Sequence, residues 1–224
     1  MSSQVTDHPS PNFGSRPEGI VIDMLVIHYT GMPTGAAALR RLCDPSAKVS
    51  AHYLIEEDGR LFRLVREAER AWHSGVASWR GDSNINDRSI GIELVNPGHE
   101  YGYRPFPAVQ MAALIELASD ILARHPILSR NVVGHSDVAP TRKQDPGELF
   151  DWRALAAAGI GAWPDELGDS CGCDAGTLLA DIGYDTSDFE LALIAFQRRY
   201  LPARVDGQLD VNVLNQLAAV AALN

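Results

Sequence analysis

The sequence predicts an α/β fold in which a central β-sheet is flanked by helices and followed by a small three-helix domain. Short apolar runs of strand length recur through the first part of the 224-residue chain. One long amphipathic helix follows them, with apolar residues at every third or fourth position. Residues 175–224 then carry three apolar patterns of helical spacing. Together these patterns indicate one large domain and one small domain.

The predicted strands are apolar runs bounded by turn residues. They are Ile20–Ile27, Ser50–Ile55, Leu61–Val65, Ser89–Asn96 and Asn131–Val133. Asp58 and Gly59, between the second and third runs, are a typical hairpin turn pair. The predicted helices of the large domain are Ala36–Cys43, Ala108–Arg124 and Trp152–Ala158. The second of these should cover the sheet with its apolar face and end at His125–Pro126.

Four segments follow from composition. Residues 1–18 are rich in Pro, Ser, Gly and Asn and predict an N-terminal tail, and residues 19–163 form the main domain. Residues 164–174 are acidic and lack periodicity, which predicts a linker whose Cys171 and Cys173 are free thiols. Residues 175–224 form the three-helix domain.

Charge and hydropathy exclude several classes of protein. The net charge is −10 and the pI is about 5.1, so nucleic acid is not an expected partner. No stretch is long and apolar enough for a membrane span. The N-terminus lacks the pattern of a secretory signal, which favours the cytoplasm. The periplasm is the alternative if a leader has been removed or another export route is used.

Two histidines and an aspartate form a candidate zinc site. His135 ends a predicted strand, Asp145 follows it in a loop with two prolines, and His28 ends a second predicted strand. Histidine and carboxylate ligands suit zinc, and catalytic zinc has about three protein ligands and an open position. In the same loop, Lys143 could hold the charge that develops on an attacked carbonyl oxygen. The alternative is that both histidines are ordinary core or rim residues.

Glu93 is the candidate general base. It interrupts the apolar run Ile90–Val95. A carboxylate in a buried strand is costly unless it is paired or functional. Burial would also raise its pKa toward neutrality, as a base requires. The alternative is a salt-bridged glutamate on the solvent-facing side of the strand.

Four motifs, in this order, resemble the zinc-dependent N-acetylmuramoyl-L-alanine amidases of the type 2 amidase family, in the branch of AmpD and AmiD. They are Ile27–Thr30, Ala71–Gly75, Ser89–Glu93 and the His135–Asp145 loop, and the likeness covers about residues 19–163. The resemblance implies a mixed sheet flanked by helices, as in phage T7 lysozyme and the peptidoglycan recognition proteins. It also implies one zinc ion per chain and hydrolysis of the amide between N-acetylmuramic acid and L-alanine.

The resemblance also assigns roles to residues. The phage lysozyme branch has a catalytic tyrosine where this chain has Ala51. The base must therefore come from elsewhere, and the AmpD-like branch uses a glutamate, here Glu93. The resemblance places His73 at the rim of the site and not on the metal. The long polar loop with Trp and Asn residues makes Trp72, Trp79 and Asn86 further candidate substrate-binding residues, along a groove for peptidoglycan or muropeptides. Trp72 and Trp79 could equally be packing residues.

Residues 175–224 resemble the small three-helix peptidoglycan-binding domain, through Phe196–Arg198 and Asp206–Gly207. The alternative is a helical appendage that stabilises the main domain or mediates dimerisation. For the whole chain, a non-catalytic peptidoglycan receptor of the same fold is the rival function, although such receptors typically lack one zinc ligand. A serine hydrolase is disfavoured because no Gly-x-Ser-x-Gly motif is present. No protein partner is identifiable from the sequence.

Overall fold

A six-stranded mixed β-sheet forms the centre of the molecule. The computed structural model describes residues 5–169 and 172–223. In this part of the chain the strands are β1 (Val5–Asp7), β2 (Phe13–Ser15), β3 (Met24–Tyr29), β4 (Tyr53–Ile55), β5 (Leu61–Arg63), β6 (Glu69–Ala71), β7 (Ser78–Trp79), β8 (Asp82–Ser83), β9 (Ser89–Leu94) and β10 (Val132–Gly134). The helices are α1 (Gly35–Cys43), α2 (Gly98–Tyr101), α3 (Ala108–Arg124), α4 (His135–Val138), α5 (Trp152–Ala157), α6 (Ala175–Ile182), α7 (Phe189–Tyr200) and α8 (Val211–Ala221).

The strands of the central sheet lie in the order β1-β5-β4-β9-β3-β10. β3 pairs in parallel with both β9 and β10, and β4 pairs in parallel with β9. β4 and β5 form the antiparallel hairpin that the Asp58–Gly59 turn predicts. The carboxyl ends of β3, β9 and β10 therefore meet at one edge of the sheet, where ligands bind in open α/β sheets. The predicted mixed sheet is confirmed.

Helix α3 covers one face of the sheet. Alternate side chains of a strand point to opposite faces, and on this side Leu25 and Ile27 join a core with Leu114 and Ile121 of α3. The observed helix has the predicted bounds. Its buried positions follow the apolar spacing of the sequence.

The C-terminal helices cover part of the other face. Met24, Val26 and Val133 share a second core with buried residues of α6, α7 and α8, including Leu179 and Phe196. The three predicted helices are present. They pack directly on the sheet, so the small unit and the main domain have this core in common.

The prediction of an N-terminal tail is wrong for residues 5–18. β1 adds in parallel to β5 at the sheet edge, and β2 pairs with β6. Arg16 donates hydrogen bonds to the carbonyls of Glu67 and Ser89, at 2.9 Å each. The segment is polar and holds prolines, but its partners are long-range and supply the order that its local sequence lacks. Residues 1–4 lie outside the described residues.

Some boundaries also differ from the predictions. The strand predicted at Ile20–Ile27 begins only at Met24, because Ile20 and Val21 are exposed. Cys173 is a free, exposed thiol, as expected, and Cys171 lies outside the described residues.

Candidate metal centre and active-site cleft

Three buried side chains converge at the carboxyl edge of the sheet. His28 belongs to β3, His135 follows β10 as the first residue of α4, and Asp145 lies in the loop beyond. Asp145 Oδ2 is 3.0 Å from the Nδ1 atom of each histidine, and the two Nδ1 atoms are 3.0 Å apart. The loop carrying Asp145 is held in place, since the Ser136 amide donates to the Asp145 carbonyl at 2.8 Å.

The outer nitrogens of the two histidines have other partners. His135 Nε2 lies 3.0 Å from the carbonyl oxygen of Ser74, which can only accept a hydrogen bond. Nε2 therefore carries the proton in the neutral ring, and Nδ1 presents a lone pair to the centre. His28 Nε2 lies 3.0 Å from Nδ1 of His73. Such outer contacts fix the tautomer and orientation of histidines that bind a metal.

The charge states also suit a cation. Burial lowers the pKa of His28 to about 4, and His135 adds to this shift, so the His28 ring is neutral at pH 7. Burial alone would raise the pKa of Asp145. Its contacts with His135 and His28 outweigh burial and lower that pKa, so Asp145 is an anion. Two imidazoles and one carboxylate are a donor set typical of catalytic zinc.

Glu93 and Lys143 line the same cleft as these three residues. The cleft has a volume of about 450 Å³. Glu93 lies on β9, where its register partner is His28 of β3. Its Oε2 is buried and has no hydrogen-bond partner among the described residues. Burial raises the pKa of Glu93 well above its usual value; Asp145 adds to the shift and Lys143 opposes it.

The predicted substrate-binding residues occupy different positions. Trp72 lines the cleft and is partly buried. His73 is buried behind His28, where burial holds its pKa well below the usual value. Asn86 is also buried, and its Oδ1 accepts hydrogen bonds from the amides of His73 and Ser74, at 3.1 and 2.9 Å. His73 also lines the cleft, and Asn86 holds the backbone of His73 next to the candidate metal ligand His28.

Trp79 is buried in the second core and not in the wall of the substrate groove that was predicted for it. Only 3% of it is exposed, and its ring makes an edge contact with Tyr184 in the second core. It does not line the cleft. The prediction of a groove wall at Trp79 is wrong, because the C-terminal helices cover the surface on which it lies; the packing alternative is the observed one.

Sequence reasoning missed several residues of this region. Arg142 donates a hydrogen bond to the Ser74 carbonyl oxygen at 3.0 Å. The same oxygen contacts Nε2 of His135, so Arg142 helps to hold this partner in place. Tyr29 and His99 also line the cleft, with Tyr29 Oη 2.9 Å from His99 Nδ1. His52 is fully buried, and its Nδ1 accepts a hydrogen bond from the Gly91 amide. The Val138–Arg142 turn gives no apolar or motif signal that would single out Arg142.

The fold and this site define an α/β enzyme domain with a candidate metal centre in an open cleft. The family model described as N-acetylmuramoyl-L-alanine amidase matches residues 18–148. The chain belongs to this family and is an enzyme of that class.

Among its relatives, the chain is similar to N-acetylmuramoyl-L-alanine amidase AmiD of Escherichia coli K12. The identity is 40% over 219 residues, covering 84% of this chain and 78% of AmiD. It is also 37% identical to the 1,6-anhydro-N-acetylmuramyl-L-alanine amidase AmpD of Haemophilus influenzae, over 64% of this chain and 85% of that protein.

Solved structures extend the likeness to the C-terminal helices. The complex of E. coli AmiD with anhydro-N-acetylmuramic acid-L-Ala-D-γ-Glu-L-Lys matches with a TM-score of 0.82 and 37% identity, over 92% of each chain. AmpDh3 of Pseudomonas aeruginosa, in complex with anhydromuramic pentapeptide, matches with a TM-score of 0.81 and 36% identity, over 91% of this chain and 92% of that one. Among the described residues, no helix is long and apolar enough to cross a membrane.

Proposed function

We propose that this chain is a zinc-dependent amidase that hydrolyses the bond between N-acetylmuramic acid and L-alanine in muropeptides, including anhydro forms. The observation that carries the proposal is the convergence of His28, His135 and Asp145 beside the unpartnered carboxylate of Glu93. The fragments bound in the AmiD and AmpDh3 complexes support the substrate class. The role in the cell would be wall turnover or recycling.

Zinc fits the three proposed ligands by chemistry and charge. Both histidines have their outer nitrogens engaged, and their inner nitrogens face a buried carboxylate. Without a cation, this carboxylate would have little compensation for its burial beyond two histidine contacts. When bound, zinc supplies Lewis-acid activation of water and of the scissile carbonyl.

Glu93 is the proposed general base. It removes a proton from the attacking water and returns that proton to the nitrogen of the leaving L-alanine. Its raised pKa makes it a stronger proton acceptor than an exposed glutamate. Glu93 lines the cleft, and its Oε2 has no hydrogen-bond partner among the residues that the structure describes.

Lys143 is the proposed oxyanion-stabilising residue. It lies two residues before Asp145 and lines the cleft. Its ammonium would stabilise the negative charge that develops on the attacked carbonyl oxygen. Trp72 is the proposed apolar surface for the sugar or the peptide. His73 lines the cleft beside His28 and remains a candidate for substrate contact, and Asn86 is proposed to hold the backbone of His73.

The rates of hydrolysis on anhydro-muropeptide and on intact peptidoglycan would test the proposed function and identify the preferred substrate. Zinc-loaded protein should release L-Ala-headed peptide from purified anhydro-muropeptide. A chelator should abolish this release, and added zinc should restore it. The same protein on intact peptidoglycan tests the polymer, and a pull-down with wall polymer tests the peptidoglycan-binding role predicted for residues 175–224. Zinc-loaded protein that binds the fragment but leaves its amide intact would support the receptor alternative instead.

A further inference from the structure

The last turn of α7 reaches the loop that carries two of the proposed zinc ligands. Arg198 and Arg199 are consecutive residues of this turn. Arg199 is 4% exposed, and its guanidinium lies 4.1 Å from the ring centre of Trp152. Arg198 lies 3.5 Å from Glu148, three residues beyond Asp145. The helix therefore contacts the segment that directly follows this loop.

Asp137 accepts hydrogen bonds from the C-terminal unit and lies in the segment that carries His135 and Asp145. It is fully buried in α4, two residues after His135. Arg199 Nη1 donates to Asp137 Oδ2 at 2.8 Å, and the Gly134 amide donates to the same oxygen at 2.7 Å. The Tyr184 hydroxyl donates to the other oxygen, Oδ1, at 2.7 Å. Both carboxylate oxygens are thus fixed, one of them from β10 and from α7 together.

Arg199 is tied to the sheet as well. Its Nη2 donates to the carbonyl oxygen of Val132 in β10 at 3.1 Å. One guanidinium thereby joins the strand that precedes His135 to the short helix that begins with it. α4 has only four residues, so its own hydrogen bonds hold it weakly.

The chemistry of this contact is unusual for packing alone. Apolar side chains would fill the same interface without the cost of removing two charges from water. A paired guanidinium and carboxylate, by contrast, restrict both distance and direction through several hydrogen bonds. Metal ligands require this kind of restriction, because a small displacement of a ligand weakens metal binding.

We infer that Arg199 and Tyr184 are positioning residues of the zinc centre, which act through Asp137 to hold His135 in place. The unit of residues 175–224 is then a working part of the active site, whatever its affinity for the cell wall. This inference rests on the proposed function, because it requires that zinc binds to His28, His135 and Asp145.

Three variants test this inference. Tyr184→Phe removes one hydrogen bond to Asp137 and keeps the ring, and Arg199→Met removes the guanidinium but keeps an apolar stem. The matched control is Gln197→Met, a fully buried residue of the same helix. The hydrogen bonds of Gln197 go to residues 206–208 of the C-terminal unit and not to the segment that carries His135 and Asp145.

The measurements are the zinc dissociation constant, by chelator competition, and kcat and KM on anhydro-muropeptide, all below the onset of thermal unfolding of each variant. We expect Tyr184→Phe and Arg199→Met to weaken zinc binding about tenfold or more and to lower kcat at unchanged KM. Gln197→Met should lower the melting temperature while zinc affinity and kcat stay at wild-type values. Arg199→Lys, which keeps the charge beside Asp137, should recover part of the zinc affinity.

Wild-type zinc affinity and kcat in folded Tyr184→Phe and Arg199→Met would overturn the inference. So would an equal loss in Gln197→Met, since the effect would then follow stability alone. If Arg199→Met does not fold, Tyr184→Phe decides. The proposed function stands in these cases, because the wild-type chain tests it separately. If the wild-type chain binds no zinc, the proposed function and this inference both fail.

Discussion

The imidazole of His73 lies directly against the backbone of Gly91. A Cβ atom at position 91 would come within 2.5 Å of His73 Cγ, closer than real side chains allow. His73 in turn lies 3.0 Å from Nε2 of His28. The absence of a side chain at Gly91 therefore leaves space for His73 beside the proposed zinc ligand His28.

We expect Gly91→Ala to push His73 against His28 and so to weaken zinc binding. Overpacking of this kind costs about 1–3 kcal/mol of stability, and the displaced ring should also lower zinc affinity. Gly14→Ala is the control, because the nearest heavy atom to its new Cβ is 3.8 Å away. Thermal melts and chelator competition would measure both effects. Equal zinc affinity in the two variants would disprove the link between Gly91 and the metal.

Glu93 should produce an acid limb in the pH profile of kcat/KM. The base works only as a carboxylate, and burial raises its pKa. As the pH falls through this raised pKa, Glu93 is protonated and the rate drops, at a pH above the value of about 4.3 for an exposed glutamate. Glu93→Gln should retain zinc, lose about 10²–10⁴ of the rate and lack this limb. Rates of Glu93→Gln near those of the wild type would remove Glu93 from the mechanism.

Lys143→Met should lower kcat while zinc affinity and KM change little. Methionine is unbranched and replaces the apolar stem of lysine with a similar chain. The main loss is therefore the positive charge near the attacked carbonyl oxygen. The loss of one oxyanion-stabilising group costs about 10²–10³ in kcat. Gln144→Met, at the neighbouring cleft residue, controls for the apolar side chain in this loop. A large rise in KM with normal kcat would assign Lys143 to substrate binding instead.

Glu67 should make the fold sensitive to acid at a point unconnected with catalysis. Partial burial acts to raise its pKa, but hydrogen bonds from Arg124, His125 and Tyr53 outweigh this and lower the pKa to about 2. An unfolded glutamate titrates near 4.3, so the stabilisation is complete above this pH and is lost as the pH falls toward 2.

Glu67→Gln should therefore cost about 1–2 kcal/mol at pH 7 and much less near pH 2. Urea unfolding at several pH values would measure this difference. The solvent-accessible pair of Glu57 and Arg104 supplies the control, since Glu57→Gln should change stability by less than about 1 kcal/mol. A constant difference between Glu67→Gln and wild type at all pH values would contradict the assignment.

Local patterns in the sequence were sufficient to predict the strands that carry the site and the helix that covers one face of the sheet. The bounds of α3 follow from its apolar spacing and from Pro126. The convergence of His28, His135 and Asp145 was predictable because strand ends and a short loop restrict where each side chain can lie. The roles assigned to these residues stay predictions until the zinc and rate measurements are made.

The errors have one physical cause, which is contact between distant parts of the chain. β1 is ordered by β5, more than fifty residues away, and Trp79 is buried by helices about a hundred residues further on. Neither position carries a local sign of its partner. A motif placed His73 near the site and the composition of a loop suggested Asn86, but only the structure shows that His73 contacts His28 and that Asn86 accepts a hydrogen bond from the His73 amide.

The second core also has a consequence for how the protein is made. Met24, Val26 and Val133 are covered by helices that begin only at residue 175. When residues 1–163 have emerged from the ribosome, part of one apolar face of the sheet is therefore still uncovered, and incompletely folded chains with exposed apolar surface are prone to aggregate. Translation that stops early would leave this face uncovered. Burial of Met24, Val26 and Val133 therefore requires that the helices of residues 175–221 have been made.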